Sequence, residues 1–131
     1  RSTDGGLNWA QLGGSTLLGQ RLIAVAARGS VLMAASGDTA GTGLYRSVDT
    51  GANWVQVSGT NGLPTGSAGD LVGDPASTTR FYYAVRGSNA GVFLSNDTGA
   101  SWSNVSGNLT GLSNANNLRL AVGPGGVVFL A

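Results

Sequence analysis

The fold is decided by one recurring eight-residue stretch, which reads Ser47-Val48-Asp49-Thr50-Gly51-Ala52-Asn53-Trp54 in its central copy. We call this pattern, Ser-x-Asp-x-Gly-x-x-Trp, the box. It recurs at residues 2–9 and 95–102, so its fixed positions are Ser2, Asp4, Gly6, Trp9, Ser47, Asp49, Gly51, Trp54, Ser95, Asp97, Gly99 and Trp102. The aspartates lie 45 and 48 residues apart. A near-constant period of this length indicates an internal structural repeat.

The segments that flank each box have the apolar alternation of short strands. Residues 43–46 and 91–94 precede two boxes, and residues 10–12, 55–57 and 103–105 follow the three tryptophans. Further upstream lie pairs of apolar segments, at 22–26 and 31–35, 71–72 and 81–85, and 118–122 and 127–131. We name the four strands of each repeat A to D in chain order, with the box between C and D. Four antiparallel strands in roughly 45 residues are typical of a β-propeller blade.

The chain is therefore predicted to be an all-β protein built of β-propeller blades. Its strands make about three blade equivalents: a half-blade at 1–14, full blades at 15–59 and 60–107, and a half-blade at 108–131. Propellers close with four to eight blades, so we expect an incomplete propeller in a single segment, 1–131. The ring would be completed by the remaining blades of a longer chain or by other copies of this one.

Composition excludes several classes of chemistry. All seven cations among the 131 residues are Arg, all six anions are Asp, and Cys and His are absent. Disulfides, thiolate chemistry, His acid–base catalysis, Lys Schiff bases and His or Cys metal sites are thereby excluded, and we expect no metal and no cofactor. The net charge of +1, with scattered arginines, argues against nucleic acid as a partner.

Composition also bears on localisation. The longest apolar runs, such as 22–27 and 31–35, are far too short to span a bilayer, so membrane insertion is not expected. Abundant Ser, Thr, Asn and Gly without Lys or Glu is common in exported bacterial proteins. We therefore expect a secreted or cell-surface protein.

Each box is expected to form the turn between strands C and D. Glycine at its fifth position can adopt a positive φ at no steric cost. The Asp carboxylate and the Ser hydroxyl can accept hydrogen bonds from main-chain N–H groups of the same turn. The Trp begins strand D and can present its ring to the neighbouring sheet. The boxes are thus predicted to be structural.

These residues resemble the Asp-box, or bacterial neuraminidase repeat. That repeat occurs in sialidases, xyloglucanase-type glycoside hydrolases, sortilin-type receptors and photosystem II assembly factors, all of which are β-propellers. The segment Asp74-Pro75, followed by residues 81–84, is most similar to the xyloglucanase and sortilin-type branch. The resemblance implies that the boxes lie away from the active site, and that ligands bind at the opposite face, formed by the B–C and D–A loops.

That opposite face is predicted to hold the functional residues. With Gln20 and the run Asn114–Asn117, it carries the candidate binding residues Arg21, Asp38, Asp70, Arg86 and Asn89. Asp38 and Asp70 are also the candidate catalytic pair, because an inverting glycosidase needs two carboxylates about 6.5–9.5 Å apart. Capping of a glycine-flanked turn is the simpler role for each. Asp74 and Arg80 fall on the box-bearing face.

Three functions follow from these candidates. The first is a non-catalytic segment that binds glycan or protein through the B–C and D–A loops, which the shortage of catalytic side chains favours. The second is a fragment of a glycoside hydrolase, either xyloglucanase-like or sialidase-like. Resemblance to sialidases implies three arginines and a Tyr–Glu pair, whereas this chain has no Glu, and Arg21 and Arg86 lack a clear third partner. The third is a structural or assembly component of a larger complex.

Overall fold

The computed structural model describes residues 1–37 and 43–131, and within them the protein is all-β. Its strands are β1 (Leu22–Arg28), β2 (Val31–Ser36), β3 (Leu44–Ser47), β4 (Val55–Gln56), β5 (Ser67–Gly73), β6 (Phe81–Arg86), β7 (Gly91–Ser95), β8 (Ser103–Asn104), β9 (Leu120–Val122) and β10 (Val128–Leu130). The described residues contain no α-helix, only short 3-10 turns at Leu112–Asn114 and Pro124–Gly126. None of the described segments is a helix with the length and apolarity needed to cross a bilayer.

The strands form three antiparallel sheets in which neighbours follow chain order. The first sheet is β1-β2-β3-β4, the second is β5-β6-β7-β8, and the third is the hairpin β9-β10. The prediction of four-stranded antiparallel units is therefore confirmed for the two central repeats. In the third sheet, residues 124–126 form the turn between β9 and β10.

The second sheet lies between the other two, which explains the unbroken apolar sequence of β6. Successive side chains of a strand point to opposite faces. Phe81, Tyr83 and Val85 accordingly join one core with residues of the first sheet, whereas Tyr82 and Ala84 join another with Leu118 and Leu120. A strand that is buried on both faces needs apolar residues at every position.

The structure corrects two strand predictions. The strand expected at residues 10–12 is absent, because its only main-chain ladder contact is the pair of hydrogen bonds between Ala10 and Arg1. The inner strand expected at 71–72 is longer, since β5 begins at Ser67 and is irregular between Ala68 and Asp70. Asp70 is thereby placed within a strand instead of in a loop. Asp38 lies outside the described residues.

Candidate functional site

The turns of the first two sheets divide between two ends of the molecule. The A–B turns lie against the boxes, since the main-chain N–H of Thr50 donates to Ser30 O at 3.0 Å and that of Thr98 donates to Thr79 O at 2.8 Å. Because the strands are antiparallel, the B–C loops and the ends of the D–A connections lie at the other end. We call that other end the loop face. Residues 61–62 of the first D–A connection extend to the third box, where Asn61 Nδ2–H donates to Ala100 O at 3.0 Å.

The boxes share one hydrogen-bond pattern, seen clearly in the second copy. The Ser47 hydroxyl accepts the Gly51 N–H at 2.8 Å and donates to Asp49 Oδ1 at 2.7 Å. The carboxylate of Asp49 accepts the main-chain N–H of Asn53 at 2.9 Å and its side-chain Nδ2–H at 2.7 Å. The first box repeats these contacts, and in the third Ser101 takes the place of Asn53. Each box carboxylate therefore holds its own turn.

These hydrogen bonds favour the ionised form of the box aspartates. For Asp4, the main-chain and side-chain donors of Asn8, followed by the Ser2 hydroxyl, lower the pKa from 3.8 to about 2. The equivalent donors lower the pKa of Asp49 to about 2. Burial raises the pKa of Asp97, but hydrogen bonds led by those of Ser101 outweigh it and leave the pKa at about 2. The box acids are thus poor proton donors near neutral pH.

Two consecutive box positions adopt left-handed backbone conformations. The prediction for the fifth position is confirmed, because φ is 93°, 92° and 82° at Gly6, Gly51 and Gly99. The preceding position is also left-handed, which the sequence does not signal: φ is 60° at Thr50 and 59° at Thr98. A β-branched residue there is strained by about 1–3 kcal/mol and persists only when its surroundings hold it.

The tryptophans depart from the expected pattern. Trp102 is buried and lies edge-on to Tyr83 of its own sheet, with ring centroids 6.1 Å apart. It also belongs to the core that contains Met33 and Leu44 of the first sheet, as predicted for a ring packed on a neighbouring sheet. Trp9, by contrast, is 75% exposed, so the prediction is wrong for the first box. Its Nε1–H donates to Gly6 O at 3.0 Å, which folds the indole over its own turn.

The other described carboxylates are also engaged in structure. Asp74 is fully buried, and its Oδ2 lies 3.1 Å from Arg80 Nη1. Asp70 Oδ1 accepts the Leu71 N–H at 2.8 Å, and its Oδ2 accepts the Leu120 N–H at 2.9 Å. Asp70 therefore joins the second sheet to the third. The predicted catalytic pair is represented among the described residues by Asp70 alone.

Arg86 connects all three sheets at the loop face. Its Nε–H donates to Ala68 O at 2.9 Å, within the second sheet. Its Nη1 donates to Asn116 O at 2.7 Å, and its Nη2 donates to Gly37 O at 3.4 Å, next to the third and first sheets respectively. A planar guanidinium presents several donors in a fixed fork, which suits it to bridge separate carbonyl groups.

A polar groove of about 430 Å³ opens beside Arg86, between the second sheet and the segment that leads into the third. We call it the Arg86 groove; it is lined by Ser67, Arg86, Gly87 and residues 113–116. It brings together two predicted features, Arg86 and the asparagine run, of which Asn114 and Asn116 lie in the lining. Ser67 and Ser113 were not predicted. Strand pairing could have identified Ser67 as a site residue, because it lies opposite Arg86 in the register of β5 and β6.

The remaining predicted residues do not line this groove. Asn89 Nδ2–H donates to Thr65 O at 3.0 Å, and Asn89 lines a separate open groove of about 550 Å³ between residues 59–64 and 88–90. The main-chain oxygen of Arg21 accepts the Gly37 N–H at 3.0 Å, and Gln20 Oε1 accepts the Ser36 hydroxyl at 3.3 Å. Arg21 and Gln20 thus belong to the first sheet's end of the loop face.

The chemistry available in the Arg86 groove is hydrogen bonding. Its lining offers hydroxyls, amides and one guanidinium, which can donate to and accept from a neutral polar ligand. No carboxylate is among the described residues that line it. Across residues 1–37 and 43–131, no three His, Cys, Asp or Glu side chains come together as a metal would require.

Of the comparisons with known proteins, the one with solved structures found similar chains. No protein-family model matches the chain, and neither does any curated protein sequence. Among the solved structures similar to this chain is the GH74 xyloglucanase from Xanthomonas campestris, at 28% sequence identity and a TM-score of 0.49. The match covers 84% of this chain and 18% of the xyloglucanase. The chain thus spans about a fifth of that enzyme's length.

Proposed function

We propose that this chain is a non-catalytic segment of an Asp-box β-propeller that binds glycan through its loop face. The proposal rests on the structural role of the aspartates. Every Asp in the described part of the chain accepts hydrogen bonds that stabilise the fold. Main-chain hydrogen bonds occupy acceptor sites of these carboxylates that a substrate proton would otherwise use. Of the two grooves at the loop face, we assign recognition to the Arg86 groove, because a guanidinium lines it beside hydroxyls and amides.

A glycan suits the groove better than a charged ligand does. Sugar hydroxyls both donate and accept hydrogen bonds, and the lining supplies both kinds of partner through Ser113, Asn114 and Asn116. The three carbonyl contacts of Arg86 fix one wall of the groove, so the site is preorganised before a ligand arrives. At about 430 Å³ the groove falls within the range of small-molecule sites.

The architecture in this proposal is the incomplete propeller predicted from the repeats. The two four-stranded sheets are the blades at 15–59 and 60–107, and the hairpin β9-β10 begins a further blade. In this proposal the protein is secreted or held at the cell surface, which the Ser, Thr, Asn and Gly content supports. No cofactor takes part.

Binding to a panel of neutral and acidic oligosaccharides tests the proposal. We expect dissociation constants in the micromolar to millimolar range for some neutral glycans, and Asn114→Ala should weaken them about tenfold by removing one set of hydrogen bonds. Asn108→Ala is the matched control, because Asn108 is an exposed turn residue that is not in the groove. Equal affinities for both variants would refute the assignment to the groove.

The same panel distinguishes binding from catalysis. Hydrolysis of a glycan by the chain, abolished in Asp38→Asn or Asp70→Asn, would replace the proposal with the predicted glycosidase pair. Binding of proteins with no affinity for any glycan would assign the loop face to protein recognition.

A further inference from the structure

Arg28 ends strand β1 with most of its guanidinium donors unpaired. Its Nη1–H donates to Ala27 O at 2.8 Å, whereas Nε and Nη2 have no acceptor among the described residues. The Nε atom is also buried. A buried donor without an acceptor is rare in folded proteins, because it gives up its hydrogen bond to water and gains none in return. An acceptor from outside the fold would remove this cost.

The second sheet holds the Arg28 guanidinium in place. Its Cζ lies 5.9 Å from the centroid of the buried Phe81 ring, within the range of a cation–π contact. The group also packs on Gly73 at the end of β5, where a Cβ atom would come within 2.6 Å of Arg28 Cζ. Neither contact supplies an acceptor for Nε. The charged group is thus fixed in position before any ligand binds.

A cavity of about 230 Å³ lies beside the guanidinium, between the A–B turns of the first and second sheets. We call it the Arg28 cavity; it is lined by Arg28, Gly29 and residues 75–78. It lies at the box-bearing end of the molecule, opposite the Arg86 groove. Two of the lining residues, Ser77 and Thr78, carry hydroxyl groups. The volume is below the roughly 300–1,000 Å³ of sites for drug-sized molecules, so the cavity suits a single small group.

The charge of this cavity is positive. Arg28 is the one ionisable side chain in its described lining. Asp74 precedes the turn at 75–78, but it is fully buried and its Oδ2 lies 3.1 Å from Arg80 Nη1. Its Oδ1 accepts the Ala76 N–H at 2.9 Å. Because Arg80 already balances the charge of Asp74, the cavity favours a negatively charged group beside Arg28.

Arg80 shows which partners an arginine at this end of the molecule takes. Its Nη1 donates to Asp74 Oδ2, and its Nε–H donates to Asn96 Oδ1 at 2.9 Å. The fold therefore gives Arg80 both a carboxylate and an acceptor for Nε, and it gives Arg28 neither. An oxyanion would supply both at once, because two of its oxygens can accept from neighbouring N–H groups of one guanidinium.

We propose that the Arg28 cavity binds an oxyanion group, which accepts hydrogen bonds from the unpaired donors of Arg28. Most of the turn at 75–78 is exposed, so it can shift to admit an oxygen to the buried Nε–H. The hydroxyls of Ser77 and Thr78 supply further donors to the same anion. This site is independent of glycan binding in the Arg86 groove, because the two lie at opposite ends of the molecule.

Chemical-shift titrations with sodium acetate and with sodium sulfate test the proposal. Sodium chloride keeps the ionic strength constant, so that screening is the same at every point. We expect saturable shifts at the Arg28 Nε–H and at the main-chain amides of Gly29 and residues 76–78, with a dissociation constant on the order of 1–10 mM. Shifts that do not saturate by about 100 mM, or that show no preference for these residues, overturn the proposal.

Replacing the arginine tests its role directly. Arg28→Gln removes the charge and should raise the dissociation constant at least about tenfold. Arg119→Gln is the matched control, because it removes the same charge from an exposed arginine outside the cavity, and it should leave the constant unchanged. Equal affinities in the parent and in a folded Arg28→Gln variant overturn the proposal.

Thr78→Asp tests the cavity from its other wall and does not disturb the core, since Thr78 is exposed. Its carboxylate competes with the added anion for Arg28, so binding should weaken at least about tenfold. Thr78→Asn has a similar shape without the charge and should weaken binding less than about threefold. Anion affinities that are equal in Thr78→Asp and in the parent contradict the assignment to this cavity.

The two titrations also distinguish the sources of the anion. Tighter binding of acetate assigns the cavity to carboxylates, such as those of acidic sugars or peptides. Tighter binding of sulfate assigns it to tetrahedral groups, such as sulfate or phosphate esters. Either result supports the site, because both anions offer the paired oxygens that the guanidinium requires.

Discussion

The Nη1 atom of Arg86 lies 2.7 Å from the main-chain oxygen of Asn116, and this hydrogen bond ties the second sheet to the segment that leads into the third. The same guanidinium reaches Gly37 O at the first sheet, so one side chain spans three repeats. In a repeat fold, stability depends largely on contacts between neighbouring units. Arg86 thus stabilises the contacts between repeats and also lines the groove.

Replacing Arg86 by Lys should destabilise the protein although the charge is kept. A single ammonium cannot present the three-way fork, so carbonyls such as Ala68 O and Asn116 O lose charged donors. We expect the free energy of unfolding in urea to fall by about 2–3 kcal/mol. Arg119→Lys serves as control and should change it by less than about 0.5 kcal/mol, because Arg119 is exposed and 4.0 Å from Asp70.

The first and third boxes share the hydrogen bond from the glycine N–H to the serine hydroxyl, but the glycine N–H is exposed in the first box and buried in the third. Comparing the two therefore separates the effect of the bond's geometry from the effect of burial. Ser95→Ala leaves the buried N–H of Gly99 without its acceptor and should cost about 1–3 kcal/mol in urea unfolding. Ser2→Ala removes the equivalent bond to Gly6 in the exposed first box, where water can replace it, and should cost under about 0.5 kcal/mol. Equal losses would show that burial is not the deciding factor.

Below about pH 8, stability should depend on pH only in the acid range. The three box aspartates have folded-state pKa values of about 2, below the ordinary 3.8, so the unfolded chain binds more protons as pH falls. Their stabilisation is complete above about pH 5 and is lost as the pH falls through 3.8 towards 2. We expect the melting temperature to be flat from about pH 5 to 8 and to drop below that range, with a shallower drop in Asp49→Asn. A drop of unchanged steepness in that variant would contradict the role of the carboxylate.

Close approach of the D–A loop to the third box depends on Gly62. A side chain at this position, where φ is 86°, would collide with the main-chain oxygen of Trp102. Gly62→Ala should therefore cost about 3 kcal/mol in thermal or urea unfolding. Gly107→Ala, where φ is 54° and the surrounding space is open, should cost only about 1 kcal/mol from backbone strain.

The sequence predicts local structure well because the box encodes it locally. Ser47, Asp49 and Gly51 lie within five residues of one another, so the turn they form needs no distant partner. The four-stranded units follow from the apolar segments between boxes, since each strand pairs with its neighbour in the chain. These features are visible in the pattern of residues alone.

Contacts between repeats are not visible in that pattern. The three carbonyl partners of Arg86 are 18, 30 and 49 residues away. Because these partners are main-chain oxygens, which every residue has, the residue types at those positions do not indicate the contacts. The left-handed φ of Thr98 is sustained in part by Arg46, which lies in another repeat. Burial of a box Trp likewise depends on which sheet lies beside it. Tertiary contacts of this kind override what the local sequence indicates.

The central claim is that ligands are recognised in the Arg86 groove, while the boxes only hold turns. Amide chemical-shift mapping during titration with a glycan selected from the panel tests it most directly. We predict perturbations concentrated at Ser67, Gly87 and residues 113–116, with the three boxes unchanged. Perturbations centred on the box residues, with none at 113–116, would contradict the account.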